Sequence, residues 1–121
     1  MAKHNVTGAQ GEEAAQQFLK RKRYRVLERN IRTRLAEIDL VCRSPRRDTL
    51  VFVEVRARTE NNAGSPEESI GRAKRTRLVR AAEAYVALKN YTGMYRIDAV
   101  CIVFSPSGEI LRINHYENIT E

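Results

Sequence analysis

Residues 50–57 read Leu-Val-Phe-Val-Glu-Val-Arg-Ala, a run of β-branched and aromatic residues that defines a strand. Successive strand side chains point to opposite sides, so Val51, Val53 and Val55 form one apolar face, while Glu54 and Arg56 share the other. Residues 35–42 form a second strand, in which Glu37 and Asp39 likewise lie on one face. Neighbouring strands in a meander can bring Asp39 and Glu54 together. Carboxylates in an otherwise apolar sheet repel one another and are costly to desolvate, so the fold must offer them a cation or solvent.

The remaining pattern places these strands in an α/β domain. Residues 7–22 predict a helix with Ala14, Ala15, Phe18 and Leu19 on its apolar side and Thr7 as cap. Residues 24–31 predict a strand centred on Val26 and Leu27, and the polar turn at 44–48 separates the strands at 35–42 and 50–57. Short connections make these three an antiparallel meander. Residues 60–64 form a polar, Asn-rich loop, the expected mobile segment. Ser65, Pro66 and Glu68 then have the form of a helix start, with Gly71 as a break after one or two turns. A helix continues to about Asn90 and is expected to bury Leu78, Ala81, Ala82, Tyr85 and Leu88. Strands at 94–104 and 110–116 follow, joined by a Ser-Pro-Ser-Gly turn. The order helix, three strands, helix, two strands predicts a central mixed five-stranded sheet flanked by helices. At 121 residues the chain is read as one domain, 1–121.

Composition enters through charge. There are 22 Lys and Arg against 15 Asp and Glu, a net +7. Residues 20–34 hold Lys20, Arg21, Lys22, Arg23, Arg25, Arg29, Arg32 and Arg34 against Glu28 alone, so this window by itself equals the excess of the whole chain. Arg72, Lys74, Arg75, Arg77 and Arg80 form a second cluster on the later helix. A solvated surface explains one such cluster; two point to a nucleic-acid partner. Neither cluster opposes a stripe of Trp or Phe suited to a lipid surface. The longest strictly apolar run, residues 99–104, is too short for a membrane span, and the N-terminal residues show no secretory signal. Cys42 and Cys101 form neither a disulfide framework nor a zinc set and are expected to be buried, reduced thiols in a cytoplasmic protein. His115 lacks a metal-ligand spacing, and His4 lies at the terminus. Asp39 and Glu54, as hard oxygen ligands, suit Mg²⁺ or Mn²⁺. The bland alternative is an exposed strand face on which Glu54 pairs with Arg56.

Gly11-Glu12-Glu13-Ala14-Ala15, Val26 through Arg32, Glu37-Ile38-Asp39-Leu40-Val41, Phe52 through Arg58, Arg96-Ile97-Asp98 and Ile113 through Asn118 follow one another in a specific order and spacing. In that combination the chain resembles, over nearly its whole length, the YraN-like family of uncharacterised bacterial proteins. That family is similar to archaeal Holliday junction resolvases within the PD-(D/E)xK nuclease superfamily. The resemblance implies a restriction-endonuclease-like core and divalent-metal hydrolysis of DNA phosphodiesters. It implies that Asp39 binds the metal, that Glu54-Val55-Arg56 is the (D/E)xK element, and that Glu12 joins the metal site. Glu37 is implied as a weaker, outer candidate.

Two positions depart from the pattern: Ala36 replaces a glycine, and Arg56 replaces the motif lysine. The first is neutral on a strand. The second matters, because Arg stays protonated and cannot act as a base, although it can hold a phosphate oxygen. Lys74, the only lysine between Lys22 and Lys89, is the candidate replacement. The expected catalytic set is therefore Asp39, Glu54, Arg56 and Lys74, with Glu12, Asp39 and Glu54 on the metal. Lys20, Arg21, Arg23, Arg25, Arg32, Arg34, Arg72, Arg75 and Arg77 are the expected phosphate contacts. With aromatic residues at 7% and no base-reading signature, branched or flapped DNA is the expected substrate, and a two-fold junction would call for a homodimer. The competing readings are a nucleic-acid-binding module that has lost chemistry through Arg56, and a protein that docks on a partner through a sheet edge or the basic helix.

Overall fold

The computed structural model describes residues 8–61 and 64–120. Among these, the elements run α1 (Gly8–Arg21), β1 (Arg25–Arg32), β2 (Glu37–Arg43), β3 (Thr49–Thr59), a 3₁₀ turn (Glu67–Ser69), α2 (Arg72–Leu88), β4 (Met94–Phe104) and β5 (Ile110–Tyr116). The five strands form one sheet in the order β1-β2-β3-β4-β5. The first three are an antiparallel meander, β3 and β4 are parallel, and β4 and β5 are antiparallel. A parallel pair cannot be joined by a tight turn, and α2 supplies the crossover. The expected α-β-β-β-α-β-β order and mixed sheet are what the chain forms.

Alternation within β3 divides the core between the two faces of the sheet. Val51 and Val53 pack with Ala15 and Leu19 of α1, Leu40, Val100 and Ile102. Leu50 and Phe52 pack on the opposite side with Leu78, Ala81, Ala82 and Tyr85 of α2 and with Ile97. Cys42 and Cys101 are buried free thiols, as expected. Burial pushes both up to about 12, so they behave as small apolar groups.

Helix boundaries follow from local chemistry. Ser65 N–H donates to Glu68 Oε1 at 2.7 Å and Glu68 N–H to Ser65 Oγ at 3.3 Å, the reciprocal pair expected from the sequence, although it starts a 3₁₀ turn rather than the long helix. The long helix begins after Gly71, which supplies no side-chain cap. It ends before Asn90, whose left-handed backbone (φ 53°) halts it. Leu88 corrects the expected core: it is 80% exposed, not buried. Tyr85 is the last buried α2 residue, its ring against Phe52 and its hydroxyl on Glu28, and after the half-buried Val86 the helix leaves the core. The expected Thr7 cap lies outside the described residues, as do positions 62 and 63 of the expected mobile loop. No described helix is long and apolar enough to cross a membrane.

Candidate metal and nucleic-acid site

The paired stretch of β2 and β3 runs from Arg43↔Leu50 to Leu40↔Val53. Asp39 lies one residue beyond it, where the strands separate. There its Oδ2 accepts the Val55 N–H at 2.8 Å, so a side chain takes over a bond that a neighbouring strand would otherwise make. This fixes the Asp39 carboxyl close enough to Glu54 for its charge to act on that residue. Glu54 is 3% exposed. Burial, and then the charge of Asp39, pushes Glu54 well above the usual carboxylate range. Burial also raises Asp39, against the pull of the Val55 N–H.

Two cations meet Glu54. Arg56 Nε lies 2.9 Å from Glu54 Oε2, and Lys74 Nζ reaches the same oxygen at 3.6 Å from the first turn of α2. The Arg56 contact is an ion pair without an aligned hydrogen bond, since the buried Nε–H has no acceptor in line. The N-terminal turn of α2 contains no acid and carries Arg72, Lys74 and Arg75 against the helix dipole. Glu54 offsets part of that charge. The expected Glu54–Arg56 pairing therefore occurs, but in a buried setting with Lys74 rather than on an exposed face.

Glu12 approaches from α1. The helix can come this close because Gly11 rests on β3: a Cβ there would lie 3.1 Å from the Ala57 Cβ. Burial and the charge of Asp39 raise Glu12, while a hydrogen bond from Asn30 and the charge of Arg29 oppose the shift. Asn30 has a left-handed backbone (φ 52°) within β1. Glu12, Glu37, Asp39, Arg56 and Arg58 line a common cleft of about 290 Å³. Glu54 does not border it, and Glu37 is half-exposed, with Arg32 Nε at 3.4 Å. Among the described residues, no three His, Cys, Asp or Glu side chains gather closely enough to enclose an ion. The donor chemistry, two adjoining carboxyls, suits a hard divalent cation that keeps most of its water; to reach Glu54 it would displace Arg56 or Lys74.

All nine expected phosphate contacts, from Lys20 to Arg77, are exposed. The first group falls on the end of α1, the following turn, the edge strand β1 and the β1–β2 connection; the second falls on α2. Sequence reasoning missed Asn30, whose polarity is unremarkable until the fold places it on Glu12. It also gave His115 little weight. His115 is buried on β5, accepting from Lys22 Nζ at 2.6 Å through Nδ1 and donating to Asp98 Oδ2 at 2.8 Å through Nε2. Arg96 and the Asn118 N–H complete the shell of Asp98. The signal was another carboxylate inside an apolar strand, Arg96-Ile97-Asp98. Burial pushes Asp98 up, but the bonds from His115, Arg96 and Asn118 outweigh it and hold the carboxyl below its ordinary range. Asp98 is thus a satisfied structural carboxylate, whereas the half-buried Asp39 and buried Glu54 are both raised, Glu54 in part by the charge of Asp39.

The chain is similar throughout to proteins sharing one family description. The model of uncharacterised protein family UPF0102 matches residues 11–102, which include every acidic residue of the cleft. A UPF0102 protein of Pelotomaculum thermopropionicum is 45% identical over 114 residues, 93% of each chain. Those of Caldicellulosiruptor saccharolyticus and Geobacter metallireducens are 38% and 37% identical, over 92% and 100% of this chain and 93% and 98% of their own lengths. With the motifs, the strand order and the full-length similarity in agreement, this chain belongs to the uncharacterised protein family UPF0102.

Proposed function

We propose that the protein is a metal-dependent, structure-selective DNA endonuclease of the cytoplasm, the compartment that keeps Cys42 and Cys101 reduced. One observation carries the reading: two desolvated, mutually repelling carboxyls, Asp39 and Glu54, meet where β2 and β3 separate, with Lys74 Nζ beside them. Asp39 and Glu54 would hold Mg²⁺ or Mn²⁺, with Glu12 nearby. A divalent ion there supplies charge neutralisation to the carboxylates and to a phosphate oxygen.

The chain's own groups supply the rest. The Val55 N–H keeps Asp39 from turning away. Lys74 provides, from a helix, an amine that can orient a water toward phosphorus, the position left open by Arg56. Arg56 lines the cleft with a permanent charge, suited to an oxygen of the pentavalent transition state. Exposed arginines of β1 and α2 hold phosphates outside the cleft and carry no sequence information.

The second reading is a DNA-binding module without chemistry. The observation favouring it is that Glu54 is ion-paired to both Arg56 and Lys74 and does not border the cleft. One assay separates the two. Purified protein incubated with branched, flapped and linear DNA in Mg²⁺ or Mn²⁺ should cut, and Asp39→Asn should abolish cutting while leaving DNA affinity nearly intact. Salt-sensitive binding without cleavage in the unmodified protein would support the module.

A further inference from the structure

A second cleft, of about 580 Å³, lies between α1 and β1. Gln16, Lys20, Val26, Leu27, Glu28 and Arg29 line it. Glu12, Gln16 and Lys20 are spaced four residues apart, so they form one stripe along α1, about 12 Å long. Glu12 of the acidic cleft and Gln16 of this one are a single helical turn apart, and Arg29 acts electrostatically on Glu12, so the two clefts are neighbours along α1.

Gln16 is 7% exposed, and its amide has no hydrogen-bond partner among the described residues. Arg56 Nε is the one fully enclosed unpaired side-chain atom among the described residues, so the Gln16 amide keeps contact with solvent and can bond a ligand in the cleft it lines. Val26 and Leu27 supply the apolar part of its lining, the latter at the bulge where the β1–β2 register shifts and 39% exposed. Lys20 and Arg29 stand exposed at the edge with no acidic partner within ion-pair distance among the described residues. Glu28 does not cancel them, because its carboxylate is taken by the Tyr85 hydroxyl and faces Lys89 Nζ at 3.9 Å.

We propose that the α1–β1 cleft binds an unpaired nucleotide of a DNA strand. Its base lies on Val26 and Leu27 with its edge on the Gln16 amide, and its flanking phosphates meet Lys20 and Arg29. An amide offers a donor and an acceptor side by side, the pattern that matches a base edge. A side chain this buried is reached only by a base that has left its duplex, which paired and stacked bases have not. The inference rests on the DNA reading above and deepens it: the strand on which the acidic site acts carries an unpaired nucleotide one to two helical turns away along α1. A flap or branch point provides that arrangement, and a continuous duplex does not.

The test needs neither metal nor cleavage. In EDTA, fluorescence anisotropy of the full chain compares a labelled mixed-sequence single strand with the blunt duplex of the same sequence. Gln16→Leu, close in size to the native side chain, should weaken single-strand binding about tenfold while changing duplex binding little. No change, or equal losses for both probes, overturns the proposal. To guard against a folding defect, the unmodified protein is photo-crosslinked to a strand bearing 4-thiothymidine. Crosslinks within residues 16–29 support the site, and crosslinks confined to α2 or β5 overturn it. Single-strand binding here without cleavage in the metal assay would sink only the nuclease reading. Cleavage without it would sink only this one.

Discussion

Three buried or half-buried carboxylates show how neighbours decide what a residue does. Asp98 is fully satisfied by His115, Arg96 and a backbone N–H, so it serves the fold. Glu54 faces another carboxyl, and its pairing with Arg56 and Lys74 does not stop burial and Asp39 from raising it, which is why the function proposed above is built on it. Glu67 is a third case. It accepts both Arg112 nitrogens, at 2.8 and 3.0 Å, and the Tyr116 hydroxyl at 2.7 Å, tying the connection before α2 to β5. Arg112 chiefly, and Tyr116 with it, hold Glu67 down to about 2. Its folded value therefore lies below its unfolded one, and the stabilisation is fully present above the ordinary Glu range, near 4.3. That stabilisation is lost as pH falls through about 2. Glu67→Gln should lower Tm by a few degrees at neutral pH and have little effect near pH 2, as thermal melts at the two values would show. An equal effect at both would show that the ion pair is not the cause.

At the scale of elements, the close seating of α1 on β3 depends on Gly11. Gly11→Ala would set a methyl 3.1 Å from the Ala57 Cβ and 3.7 Å from Val55 Cγ1. The first contact is tight and its neighbour is no flexible chain end, so helix and strand must part by a few tenths of an ångström. The expected cost is about 1–3 kcal/mol by urea denaturation, with Glu12 displaced from Asp39. Unchanged stability would mean that the helix seat is loose. The crossover matters in the same way. The turn at Gly71 starts α2 where Lys74 faces Glu54 across the sheet surface, a meeting between residues 20 apart that no helix or strand periodicity contains. Leu88 teaches the converse: it continues the apolar stripe of α2, but a stripe is buried only as far as another element lies beneath it.

Across the whole molecule, basic residues concentrate in two largely exposed groups, one on the α1 end and edge strand, the other on α2. If both touch phosphates, the affinity for duplex DNA must fall steeply with salt. The double variant Arg72→Ala, Arg75→Ala should reduce the slope of log affinity against log salt by about two, with sequence preference unaltered. A slope that does not change would remove α2 from the interface. Much of this protein was legible in its residue order. Period-two apolar runs and turn residues determined the strands, their meander, the two helices and the charge clusters, because these depend on local geometry and solvation alone. The pairing of Asp39 with Glu54 was also legible, since adjacent antiparallel strands leave few ways to arrange them. Only the tertiary structure decided that Lys74 reaches Glu54, that Asn30 acts on Glu12, that Gln16 lies against β1 in one cleft and that His115 serves Asp98. Each of these is a meeting of segments distant in sequence, and the sheet order and helix seating that create it are set by burial of the whole core rather than by any local pattern.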